Sequence, residues 1–100
     1  MIKVFKMISG EELISEVSSI GGGYALKNPA TIMLQQGVKG MSMGLAPYMV
    51  YAKGDINLYL TAIASEAEAD DELANQYNRI FGSGIEVVSA SALSGLKIVS

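Results

Sequence analysis

The chain has no cysteine, no histidine and no tryptophan, and only two prolines among its 100 residues. Without cysteine there is neither a disulfide framework nor a thiolate metal site, and the common sulfur nucleophile is missing. Without histidine the usual general acid/base is absent, together with the partner of most nucleophilic serines. No segment places another nucleophile and base at a recognisable spacing, so the expectation is a protein that is not an enzyme and holds no cofactor and no metal. Long apolar runs are also missing: no stretch approaches the roughly 20 apolar residues of a membrane helix, and Met1-Ile2-Lys3-Val4-Phe5-Lys6 is not a secretory leader. A soluble, cytoplasmic protein without membrane contacts is expected. Basic charge is scarce too. Seven Lys and Arg stand against ten Asp and Glu, a net charge of −3, which is not the footprint of a general nucleic-acid binder.

Apolar residues are abundant. Half the chain is hydrophobic and only 17% is charged, whereas a domain of this size buries only about two-thirds of its unfolded surface. Apolar area left over on one copy favours self-association. The six methionines include Met33, Met41, Met43 and Met49, in expected strands, where they suit a core or a subunit contact equally.

Short extended segments dominate the first part of the chain. Ile2, Val4, Phe5 and Ile8 lead to a turn at Ser9-Gly10-Glu11, and Leu13, Ile14, Val17 and Ile20 form a second segment. Gly21-Gly22-Gly23 then allows a tight reversal. A third segment runs from Tyr24 to Gln36, and Pro29, which cannot donate to a ladder, belongs at an edge or bend. Met41 to Ala52 makes a fourth, broken near Gly44 and Pro47. After the turn at Lys53-Gly54-Asp55, the alternation of Ile56, Leu58, Leu60 and Ala62 is the cleanest period-two pattern in the chain. Five strands joined by glycine turns predict a meander that closes on itself over residues 1–64.

A change of period follows. Ser65 and Glu68 have the form of a capping box, Leu73, Tyr77, Ile80 and Phe81 recur at helical spacing, and Gly82 suits a stop, which predicts a C-terminal helix over 65–82. The carboxylates Glu66, Glu68, Asp70, Asp71 and Glu72 have an ordinary explanation in the positive end of the helix dipole, and no calcium-loop pattern accompanies them. Gly82-Ser83-Gly84 follows the helix rather than preceding it, so it reads as a stop and not a phosphate loop. Residues 83–100 form a tail or, through Ile85, Val87 and Val88, one extra strand of the same single domain.

Two segments carry a family resemblance. Ile8 to Val17, with Tyr24-Ala25-Leu26-Lys27 after the glycines, resembles the first motif of the Sm-like (Lsm) family, and Val50 to Leu60, with its Lys53-Gly54-Asp55 turn, resembles the second. The chain is also similar to small Sm-like proteins of tailed phages of marine bacteria. The resemblance implies a mostly β fold: a small, strongly bent, five-stranded antiparallel barrel, here with a C-terminal helix. It implies homo-oligomeric rings built by edge-strand pairing, and hence a non-catalytic scaffold or assembly role, located in the host cytoplasm if phage-encoded. The alternative it implies is an RNA-binding module acting through pore-side loops, with Tyr24 stacking on bases of single-stranded RNA and Lys53, Gly54 and Asp55 around the pore. Gly21 to Gly23 replace the family's Asp and Asn in the first motif and Lys53 replaces its Arg, which implies a kept fold and a uridine-type recognition that is weakened or lost.

Overall fold

The computed structural model describes residues 1–81. The expected stop at Gly82 and the tail or strand over 83–100 lie outside the described residues. The chain forms β1 (Ile2–Met7), β2 (Glu12–Ile20), β3 (Gly23–Gly37), β4 (Gly40–Pro47), β5 (Ile56–Tyr59), a 3₁₀ turn (Leu60–Ala62), β6 (Ile63–Glu68) and α1 (Asp71–Phe81). All six strands belong to one antiparallel sheet in the order β4-β3-β2-β1-β6, with β5 on β3. A mostly β fold with a C-terminal helix is thus observed, but the sheet has six strands instead of five. It is not closed: among the described residues no ladder joins β6 to β4 or β5.

Open as it is, the sheet must curl. Tyr59 pairs with Gly23 on β3, whereas Ile63 pairs with Met7 on β1. A flat sheet would hold β5 and β6 four strand spacings, about 19 Å, apart. Four residue steps span at most about 14 Å. The 3₁₀ turn is tied at both ends, Leu60 N–H to the Gly22 carbonyl and Ile8 N–H to the Ala62 carbonyl, each at 2.9 Å. This corner is where the expected fifth strand departs from its sequence pattern: the ladder ends at Tyr59 and resumes, on the other side of the sheet, at Ile63.

Curling gives the sheet two buried faces. The inner face gathers Phe5, Met7, Leu13, Leu26 and Leu58, with Val17, Tyr24, Ile56 and Ile63 packed against them. The outer face presents Ile14, Ala30 and Leu45 to Tyr77 of α1, joined by Leu73, Ile80 and Phe81. Successive residues of a strand alternate between faces, so neighbours Leu13 and Ile14 serve different cores.

β3 changes allegiance midway. Ile14 pairs with Ala30 and Glu16 with Lys27, so Asn28 and Pro29 together oppose Ser15. Such a bulge inverts the alternation that follows it: Tyr24 and Leu26 point inward, while Ala30 and Ile32, also even-numbered, point outward. Asn28 adopts φ +52° here, a left-handed conformation that Asn tolerates better than most residues. The expectation of a bend at Pro29 is met.

The bulge is held by one phenol. The Tyr77 hydroxyl accepts the Glu16 N–H at 3.1 Å and faces the Lys27 and Asn28 carbonyls at 2.8 Å each. Ser15, fully buried, has its hydroxyl 2.8 Å from the Glu16 carbonyl and 3.1 Å from that of Lys27. The Asn28 side-chain amide donates to the Phe81 carbonyl at 3.1 Å, satisfying a free acceptor at the end of α1.

The helix begins later than its sequence pattern suggests. Ser65 and Glu68 do not cap it; they pair with Lys6 and Lys3 across the β1–β6 ladder. Asp70 caps it instead, its carboxylate accepting the Leu73 N–H at 2.8 Å. A ladder that covers the edge of β1 outweighs one local capping pattern, and α1 is correspondingly shorter than 65–82.

Candidate functional site

The four residues singled out from the sequence do not converge. Tyr24 stands opposite Leu58 on β3, at the far end of β5 from the Lys53-Gly54-Asp55 turn. Those three are exposed in the loop between β4 and β5, where Gly54 takes φ +81°. Gly54 also lines a depression of about 370 Å³ shared with Pro29, Tyr48, Met49 and Phe81. Among the described residues, no hydrogen bond or ion pair connects this loop to Tyr24.

Tyr24 belongs to a different constellation. Its ring packs on Phe5 with centroids 5.3 Å apart, and the Lys3 ammonium lies 5.4 Å from its centroid. Its hydroxyl donates to the Glu66 carboxylate, which Lys3 also approaches at 3.1 Å. The cluster links three strands, β1, β3 and β6. Hydrogen bonding by Tyr24 and then by Lys3 draws the Glu66 carboxyl below its ordinary range. The same hydrogen bond, aided by desolvation, pushes the Tyr24 phenol up, and Glu66 raises Lys3. Each group is stabilised in its resting form, charged for Lys3 and Glu66 and neutral for Tyr24. That suits a clasp between strands and not proton transfer near neutral pH.

Two features were not singled out from the sequence. One is the set of free backbone edges: the outer sides of β4, β5 and β6 have no strand beside them among the described residues. The other is the hairpin of β3 and β4, which carries exposed Leu34, Val38, Met41 and Met43. Of the four methionines expected in strands, Met33 is half-buried and Met41, Met43 and Met49 are exposed; Met49 lies in the loop beyond β4, which ends at Pro47 and not at Ala52. For those three the surface use prevails over the core. A groove of about 430 Å³ lies at the root of the hairpin, walled by Val4, Ile32, Leu34, Met43 and Leu73. Composition signalled surplus apolar surface; its location depends on where the helix starts.

No group of metal-ligating side chains occurs among the described residues, and no described helix is long and apolar enough to cross a membrane. No protein-family model matches the chain, and no curated protein matches it.

Proposed function

We propose that the protein is a non-catalytic, self-assembling scaffold of Sm-like architecture, in which the free edge of β4 on one copy pairs with the free edge of β6 on the next to form a ring. The observation that carries this reading is the open, curled sheet with free strand edges at both ends, β6 at one and β4 and β5 at the other. Unpaired N–H and C=O groups on an exposed edge are a template for another strand. β4 bears no charged residue, so nothing in it repels the acidic β6. The strongly curled, mostly β sheet followed by a helix is what supports reading the two motifs as Sm-like.

Light scattering with size-exclusion chromatography tests the ring. Several copies of the 10.5 kDa chain are expected in one particle at micromolar concentration, and a monomer there would refute the assembly.

A second reading, single-stranded RNA binding around the pore, draws support from the exposed Lys53-Gly54-Asp55 turn. It is weaker because Tyr24 is engaged by Phe5, Lys3 and Glu66. Fluorescence anisotropy with a short single-stranded RNA decides it: phosphate-driven binding appears at low salt, fades steeply as salt rises, and drops on Lys53→Ala. No binding at low salt removes this reading.

A further inference from the structure

The apolar stripe on the outer face of the β3–β4 hairpin outruns the helix that covers it. Its cross-strand pairs are Ala30–Pro47, Ile32–Leu45, Leu34–Met43 and Gln36–Met41, and alternate positions share a face. Ala30 and Leu45, beneath Tyr77, are 0% exposed, whereas Met43 reaches 38%, Leu34 57% and Met41 60%. Burial is lost because α1 begins at Asp71 and Leu73 is its first residue on the sheet. The uncovered pairs form one wall of the groove at the root of the hairpin, with Leu73 and Val4 opposite and Lys6 and Glu12 also lining it.

We propose that a second copy of this chain fills the groove: the hairpin arm of each copy lies across the groove of the other in a two-fold exchange. Self-complementarity supports this occupant, since Leu34 and Met43 belong to both arm and groove. One symmetric contact therefore covers both apolar surfaces of both copies. Charge complementarity supports it independently. From Leu34 to Pro47 the only charged residue is Lys39, at the tip of the arm, and among the described residues it makes no ion pair. Beside the groove, the β6–α1 junction carries Glu66, Glu68, Asp70, Asp71 and Glu72, of which only Glu66 is ion-paired among the described residues. An arm entering from a two-fold partner brings a lone cation to a carboxylate-rich flank. That flank repels an anionic lipid surface and disfavours it as the occupant.

The contact uses side chains on the face of the sheet, so it does not depend on the edge pairing proposed above. The natural absence of cysteine makes it directly testable. Full-length Met41→Cys protein is mixed with full-length Glu72→Cys protein and treated with a short bis-maleimide. The expected product is a cross-linked pair of twice the chain mass, at least fivefold more abundant than with Lys53→Cys in place of Glu72→Cys. A yield no greater than that control overturns the proposal, as does a product formed only by Met41→Cys with itself, which would place arm on arm outside the groove.

Light scattering supplies a second readout. Both arm side chains are largely exposed, so Leu34→Glu with Met41→Glu should leave the circular dichroism spectrum unchanged and weaken pairing at least tenfold. With ring assembly intact, the variant stays multimeric but its particle falls to half the parent mass. Without ring assembly, the parent is a dimer and the variant a monomer. An unchanged mass overturns the proposal in either case, and so does binding to anionic vesicles that the double variant abolishes.

Discussion

Removing the Tyr77 hydroxyl tests the account of the fold most directly. Tyr77→Phe keeps the buried ring, and so keeps its apolar contacts with the sheet and with Phe81, whose ring centroid is 5.5 Å away. What is lost is the group bonded to the Glu16 N–H and to the Lys27 and Asn28 carbonyls. Lys27 retains the Ser15 hydroxyl and Asn28 is exposed to water, so the Glu16 N–H is the group that loses its acceptor. Each buried group left unsatisfied costs about 1–3 kcal/mol, and the space vacated by one oxygen is too small to seat a water with proper partners. The loss is therefore about 1–3 kcal/mol, a sizeable share of the roughly 5–15 kcal/mol typical of a domain. In urea unfolding followed by circular dichroism, the midpoint should fall with the slope unchanged, and the melting temperature should drop by about 5–20 °C. A change below about 0.5 kcal/mol would refute the argument that this phenol holds the β3 bulge in place. The same group shapes the alkaline limb. Burial pushes the Tyr77 phenol up, so the unfolded chain releases this proton first, near the ordinary tyrosine value of about 10. Its contribution is intact below that pH and is lost as pH rises through the higher folded value. Tyr77→Phe should flatten that decline, measured as unfolding free energy against pH.

Other outcomes follow from single contacts. A Cβ added at Gly23 would lie 2.0 Å from the Leu58 carbonyl oxygen and 2.9 Å from the Tyr59 Cα, so Gly23→Ala should cost about 3 kcal/mol in chemical denaturation. Gly21→Ala, with nothing within 4 Å and an ordinary φ, should stay within about 0.5 kcal/mol. Loss of the cap in Asp70→Ala should cost about 1 kcal/mol and increase hydrogen exchange in the first turn of α1; unchanged exchange would dismiss Asp70 as the cap. Carbon-detected NMR titration should place the Glu66 midpoint below that of an ordinary Glu, and Tyr24→Phe and Lys3→Met should each raise it. The clasp then holds at neutral pH and is released as pH falls through the depressed Glu66 value. A Glu66 midpoint insensitive to both variants would show that the clasp does not form in solution.

Much of the fold is legible without coordinates, because local rules act over a few residues. Glycine turns at Gly10, Gly22, Gly40 and Gly54 all take positive φ, and Leu73, Tyr77, Ile80 and Phe81 form the sheet-facing stripe of α1 as their spacing predicts. Ser65 and Glu68 show where such rules fail: a valid capping pattern is overridden by strand pairing with β1. Leu60 and Ala62 show it again. They continue the alternation of Ile56 and Leu58 but sit in the corner that carries the chain from β3 to β1. Of the candidate site, the exposure of Lys53, Gly54 and Asp55 fits their turn chemistry, whereas the partners of Tyr24 come from Lys3 and Glu66, far away along the chain.

The sequence by itself determined the classes of element and their turns, the excess of apolar surface, and the absence of the commonest catalytic side chains. Only the tertiary structure decided which face each apolar residue serves. Leu26, Ala30 and Leu34 look like one alternating stripe; the Asn28–Pro29 bulge sends Leu26 to the inner core and Ala30 to the outer one, and the start of α1 leaves Leu34 uncovered. The reason is physical. Periodicity records that a side chain avoids water relative to its neighbours, but the surface that covers it is supplied by distant segments whose arrival depends on pairing, curvature and the length of one helix.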